Sequence, residues 1–174
     1  TNIEKQKEKE LKEEELFCMM DSRITENQPE LHMHLRHRTE DEIKICIDSG
    51  ASVHFFDQKS HFYSLAPATP RKVLVGKKGE SFIVDRAGIV KLKTMNKHGE
   101  ALTLDIFAYY APLAAGNFLS TIILDEKGFE IHQSRGEIEI SKNNKNFAIA
   151  NRINKGFYLF GTPVTTTDAN RSRR

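Results

Sequence analysis

Ile43-Lys44-Ile45-Cys46-Ile47-Asp48-Ser49-Gly50-Ala51-Ser52 is the stretch on which the reading of this chain turns. Ile43, Ile45 and Ile47 alternate with Lys44 and Cys46, the period of a strand with one buried face. An acid, a small hydroxyl residue and a glycine follow that strand directly. Gly50 lets the backbone turn sharply and approach a neighbouring segment, while the strand fixes where the Asp48 carboxylate points. Taken alone, Asp-Ser-Gly is a common surface turn, because all three residues favour turns. A surface turn needs no apolar strand leading in and no second apolar run, Val53-His54-Phe55-Phe56, leading out. The two runs together suggest a turn held inside a core.

Working outward, the chain shows short β-rich runs punctuated by Gly and Pro. They are Ile43 to Asp48, Val53 to Phe56, Lys72 to Val75, Ser81 to Asp85, Gly88 to Thr94 and Ala101 to Tyr109. Further runs cover Phe129 to His132, Glu137 to Ile140, Phe147 to Ala150 and Phe157 to Phe160. One segment departs from this pattern. Phe118, Leu119, Ile122 and Ile123 recur at helical spacing between Asn117, a good N-cap, and Gly128, a good helix stop. The expected fold class is mainly β, with one short helix on the C-terminal side.

Residues 1–42 read as a charged linker or helix, partly disordered. Nearly every residue from Glu4 to Glu15 is charged, Glu8 and Lys12 are spaced for an i,i+4 pair, and Asp21 to Glu42 holds Pro29 and few large apolar residues. The core is expected over 43–135, a strand-rich extension over 136–161, and a disordered polar tail over 162–174. A start without Met and a basic end fit a fragment cut from a longer polyprotein.

With 174 residues, 39% hydrophobic and 29% charged, the chain suits one globular domain with polar ends. The balance of 26 Lys+Arg against 24 Asp+Glu leaves a formal charge of +2, too small to imply nucleic acid as a partner. No apolar run approaches a membrane span and the charged start lacks a secretory stretch, so a soluble, cytoplasmic protein is expected. Cys18 and Cys46 are too few for a disulfide framework and form no Cys-x-x-Cys pair. His32, His34 and His37, interleaved with Arg36 and Arg38, read as a solvated segment rather than a metal site. No metal and no cofactor are expected.

Asp48 can do chemistry only with help. Peptide hydrolysis by carboxylates takes two of them sharing a proton, one as general base toward water and one as donor to the scissile carbonyl. Asp21, Asp57, Asp85, Asp105, Asp125 and Asp168 all lack the glycine turn that follows Asp48. A second carboxylate would therefore come from another copy of the chain across a two-fold axis. A serine mechanism through Ser49 or Ser52 with His54 or His61 lacks the Gly-x-Ser-x-Gly elbow and is set aside.

Asp48-Ser49-Gly50-Ala51-Ser52-Val53-His54 resembles a stretch of the protease of copia-type retrotransposon polyproteins. The similarity continues at Lys72-Val73-Leu74-Val75-Gly76, at Gly88-Ile89-Val90, and at Tyr110-Ala111-Pro112 before Asn117-Phe118-Leu119-Ser120. Glu126-Lys127-Gly128-Phe129 resembles the family's helix exit, and Gly136 to Phe160 resembles the strand-rich stretch that precedes integrase. The ordered series carries the specificity, not any single motif. The resemblance implies a retropepsin-like acid-protease barrel that cleaves its own polyprotein as a homodimer within virus-like particles.

By that resemblance Asp48 is the catalytic acid, braced by Ser49 and Gly50, with Ser49 bonding across the dimer axis. Gly50 and Ala51 line the cleft. Val73 to Val84 forms a hairpin flap, with Val75, Gly76, Lys77, Lys78 and Gly79 reaching substrate. Leu113-Ala114-Ala115-Gly116 is smaller than the apolar pair and glycine found there in retroviral relatives. The alternative, from another class, is a non-catalytic retroelement-derived β-barrel that dimerises or binds peptides, since one intact motif does not guarantee a competent cleft.

Overall fold

The computed structural model describes residues 16–18, 40–76 and 79–167. Its strands are β1 (Leu16–Cys18), β2 (Ile43–Asp48), β3 (Phe55–Phe56), β4 (Ser64–Val75), β5 (Ser81–Met95), β6 (Ala101–Tyr110) and β7 (Asn117–Ser120). The helix α1 (Thr121–Glu126) is followed by β8 (Glu130–Ser134), β9 (Glu137–Lys142), β10 (Lys145–Ile153) and β11 (Gly156–Pro163). The expectation of a mainly β protein with a short helix on the C-terminal side holds for the described residues. No helix among them is long and apolar enough to cross a membrane.

The strands form one sheet in the order β1-β4-β5-β6-β3-β7-β2-β11-β10-β9-β8, and a further β5–β11 pairing bends it shut. The closed ring is thus β5-β6-β3-β7-β2-β11. Closure leaves the strands of the ring itself without free edges. β1 and β4 extend the sheet beyond β5, while β10, β9 and β8 extend it beyond β11. Closure needs β11 to come close to β5 where Thr162 and Pro163 pair with Lys93 and Leu92. Gly161 permits it: a Cβ there would sit 2.8 Å from Leu92 Cδ1 and 3.0 Å from the Lys93 carbonyl oxygen.

Strand alternation builds the core. In β6, Leu104, Ile106 and Ala108 are buried while Thr103, Asp105 and Phe107 are exposed, as a half-buried strand requires. The larger apolar cluster includes Ile45 and Ile47 of β2, Val90 and Leu92 of β5, Leu119 of β7 and Leu159 of β11. It runs on through Leu124 of α1 to Ile138, Ile140, Ala148 and Ala150 of the C-terminal strands. A second cluster lies under the β4–β5 hairpin, where Val73, Phe82 and Val84 meet Ala51, Phe55, Ala114 and Phe118.

Three differences from the sequence expectations have physical causes. Asn117, Phe118 and Leu119 are not helical: they pair in parallel with Ile45, Cys46 and Ile47, and the helix starts only after Ser120. All four residues of β7 are buried, with Phe118 in one cluster and Leu119 in the other, so no two-residue period is visible. Helical spacing was read from a strand that feeds straight into a helix. The runs Ser81 to Asp85 and Gly88 to Thr94 are one continuous β5. Lys72 to Val75 is the end of a longer β4 that tolerates Pro67 and Pro70 through a register shift between Pro67 and Arg71.

Gly128, at φ +83°, ends α1 as expected. The strands after it turn through tight connections whose residues adopt positive φ, among them Arg135-Gly136, Asn143-Asn144 and Asn154. A helix over Glu4 to Glu15, the His32, His34 and His37 cluster, and most of the tail lie outside the described residues.

Candidate active site

Asp48 ends β2, a strand paired on both sides. On one side it pairs in parallel with β7, which sets Asp48 opposite Ser120; on the other it pairs antiparallel with β11 from Ile43↔Gly161 to Ile47↔Phe157. A strand held on both sides fixes the direction in which the chain leaves, so the acid-bearing turn starts from a rigid base.

The turn then wraps its own carboxylate. The Gly50 N–H donates to Asp48 Oδ1 at 2.7 Å. Burial pushes the Asp48 carboxyl above the usual carboxylate range, while hydrogen bonds from the backbone of Gly50 and Ala51 pull it back down. Asp48 Oδ2 is buried and has no hydrogen-bond partner among the described residues. One oxygen is therefore anchored and the other is withheld from water without compensation. An orphaned acceptor of this kind favours the protonated acid, or a partner that brings a proton.

Behind the turn lies a buried polar lattice. The Ser120 hydroxyl donates to the Ala51 carbonyl at 2.6 Å and accepts the Ile123 N–H at 3.2 Å, which makes it the N-cap of α1. The Ser120 N–H donates to His54 Nδ1 at 3.0 Å, and the His54 carbonyl accepts the Tyr109 N–H at 2.9 Å. Because Nδ1 accepts, the neutral ring carries its proton on Nε2. Burial first, and then the nearby Lys127 ammonium, push the His54 imidazole down to about 4.

Asn117 ties the strands on the other side. Its Oδ1 accepts the Asp57 N–H at 3.1 Å, and its Nδ2 donates to the Lys44 carbonyl at 3.2 Å. That use of both side-chain groups explains why Asn117 serves the ladder rather than capping a helix.

The residues expected to make the site are distributed as follows. Asp48 and Gly50 are half-buried, and Ser49 is exposed. Ser49 faces a hollow of about 680 Å³ whose walls include Ile47, Thr121, Asp125, Phe129 and Phe157. Ala51 has no exposed surface; it offers its backbone to Asp48 and Ser120, and its methyl group to the second cluster. β4 and β5 form a hairpin whose last rung is the Val75 N–H on the Glu80 carbonyl at 3.0 Å. Val75 packs partly against the cluster that holds Ala51, and Gly76 and Gly79 are exposed at the end of the hairpin. Lys77 and Lys78 lie outside the described residues.

Sequence reasoning missed Ser120 and the structural use of His54. A hydroxyl three residues before an N–H it can cap is a legible signal, but it was overshadowed by Asn117. Nothing local marks His54 as an acceptor, because its partner Ser120 stands 66 residues away.

Comparison with known proteins bears on the same stretch. Residues 45–129 match the family described as the Pol polyprotein, beta-barrel domain. The match supports a retroelement Pol-derived domain, consistent with the closed sheet. No solved structure matches the chain.

Proposed function

We propose that this chain is a retropepsin-like aspartic endopeptidase of a copia-type retrotransposon, acting as a homodimer on peptide segments of its own polyprotein. The observation that carries the reading is Asp48 Oδ2, a buried carboxylate oxygen without a partner at the end of a strand braced on both sides. That oxygen is closed to solvent in the single chain, so on this reading the turn opens on dimerisation, letting a second Asp48 across a two-fold axis share a proton with it. Two carboxylates in contact cannot both ionise, so the pair holds one proton and titrates as a unit.

In this mechanism the ionised Asp48 takes a proton from a water molecule while the protonated one donates to the scissile carbonyl oxygen. The water oxygen attacks the carbonyl carbon, giving a tetrahedral diol. Collapse of that diol breaks the C–N bond: the proton taken from water passes to the leaving amine, and one diol hydroxyl returns its proton to the other carboxylate, so the pair again holds a single proton. The exposed Ser49 and the hollow beside it provide the face on which a second chain would sit. The β4–β5 hairpin covers the cluster that supports Ala51 and would close over an extended peptide. The site of action on this reading is the particle that packages the polyprotein.

The test is cleavage of a peptide spanning a polyprotein junction at mildly acidic pH. Activity per chain should rise with protein concentration until the dimer is saturated, and a statine-type mimic of the tetrahedral state should inhibit it. Asp48→Asn should abolish turnover with the fold intact. Undiminished cleavage by that variant removes the mechanism, and peptide binding without turnover by the unmodified chain points to a non-catalytic domain.

A further inference from the structure

His54 is a buried histidine that the proposed reaction does not use. It is 4% exposed and sits in the same short segment as the acid, and among the described residues its ring bonds to the Ser120 N–H rather than to the carboxylate. Its hydrogen bonds form a chain that ends at the acid. His54 Nδ1 holds the Ser120 N–H, the Ser120 hydroxyl holds the Ala51 carbonyl, and the backbone of Ala51 bonds to Asp48. The other end of His54 is fixed as well, its carbonyl taking the Tyr109 N–H of β6.

We propose that His54 is a positioning residue of the Asp48 site, an uncharged acceptor that locks the acid-bearing turn to β7, and that protonating it unlocks the turn. The inference rests on the reading of Asp48 as the catalytic acid for its kinetic consequence, but not for its structural one. Protonation puts a hydrogen on Nδ1, which then opposes the Ser120 N–H donor to donor. Either the ring turns or β7 shifts, and in both cases the Ser120 hydroxyl loses its register on Ala51. Lys127, at the exit of α1, repels a second positive charge. Asp48 stands at the far end of the same turn, and Tyr109 meets His54 through its N–H.

This device differs from the proton-sharing pair. The pair determines how fast bonds break, whereas the imidazole determines whether the turn carrying each carboxylate is in place. It would confine activity to pH values above the titration of His54, while leaving substrate contacts untouched.

The test uses the full chain and two substitutions. His54→Asn keeps an uncharged oxygen acceptor near the position of Nδ1 but cannot be protonated; His54→Phe keeps the volume without the acceptor. In the unmodified chain, the Ser120 amide nitrogen resonance and the His54 ring should titrate together, and in His54→Asn the Ser120 resonance should stay flat with pH. In peptide cleavage His54→Asn should keep kcat within about threefold and extend activity to lower pH. His54→Phe should lose roughly tenfold to a hundredfold in kcat with KM nearly unchanged, the scale expected for a misplaced reacting group. A Ser120 amide that ignores the titration of His54 overturns the proposal, and so does a His54→Phe protein with an unaltered kcat and pH profile. If the unmodified chain cleaves nothing, the protease reading fails while the resonance measurement still decides the role of His54.

Discussion

Replacing Ser120 with alanine removes one oxygen and strands two backbone groups. The hydroxyl is fully buried, donates to the Ala51 carbonyl at 2.6 Å and accepts the Ile123 N–H at 3.2 Å. Loss of the N-cap costs about 1 kcal/mol. A buried carbonyl left without its donor costs roughly 1–3 kcal/mol more. Alanine leaves little room for water to replace the oxygen, so the two terms should add to about 2–4 kcal/mol. For a domain of this size that lowers the melting temperature by roughly 5–15 °C. Urea denaturation of Ser120→Ala should show a lower midpoint at unchanged slope. Thr121→Ala, one position along and only partly buried, serves as control and should stay within about 0.5 kcal/mol. Hydrogen exchange should show where the damage lies, with the Gly50 and Ala51 amides speeding up more than those of β6. A loss under 1 kcal/mol, or an Asp48 turn that exchanges as before, would refute the claim that this hydroxyl secures the turn.

Three further outcomes are expected. A Cβ at position 88 would stand 1.8 Å from the Ser64 carbonyl oxygen and 2.9 Å from Leu65 Cα, both backbone atoms, so Gly88→Ala should separate the base of the β4–β5 hairpin. Denaturant titration should register a loss of about 3 kcal/mol or more. His54 and Asp48 should tilt stability with pH in opposite directions. His54, lowered from 6.5 to about 4, gives stability that is complete above pH 6.5 and is lost as pH falls toward 4, roughly 3 kcal/mol in all. Asp48, raised above 3.8, is most favourable below that value and loses stability as pH rises through its folded value. Asp48→Asn should therefore expose the full His54 slope, and His54→Asn the Asp48 slope; parallel stability curves for the two variants would contradict this. Ala115 stands at φ +53°, a conformation that costs a side-chain-bearing residue about 1–2 kcal/mol. Ala115→Gly relieves that strain but adds about 0.5–1 kcal/mol of chain entropy, so it should be neutral to about 1 kcal/mol stabilising in thermal unfolding, while the β-branched Ala115→Val should lose more than about 1 kcal/mol.

Much of the architecture was legible because strands with one wet face write their period into the sequence. Ile43 to Asp48 was bounded to the residue, since Ile43, Ile45 and Ile47 alternate cleanly and Asp48 ends the run. β7 was not legible: wedged between two apolar clusters, it has no wet face and its Phe118-Leu119 pair reads as either element. The site divides the same way. Asp48 and Gly50 announce themselves by chemistry in a short segment, and the structure joins them through the 2.7 Å bond. The bond from Ser120 to Ala51 spans 69 residues and that from Ser120 to His54 spans 66, so no local pattern records either. Position 161 is a glycine for the sake of Leu92 and Lys93, neighbours that only the closed sheet brings together.

The ring of strands has a bearing on when the Asp48 turn gains its support. β2 is made early, yet one of its flanking strands is β11, near the far end of the described chain, with Ile47 waiting for Phe157. Contacts so distant in sequence form late, because the intervening chain must first be confined. During translation the acid-bearing strand would thus remain half-clad until the ribosome has released Pro163. A chain assembled in this order carries a built-in delay, its Asp48 turn unable to settle before everything up to the last rung has been synthesised.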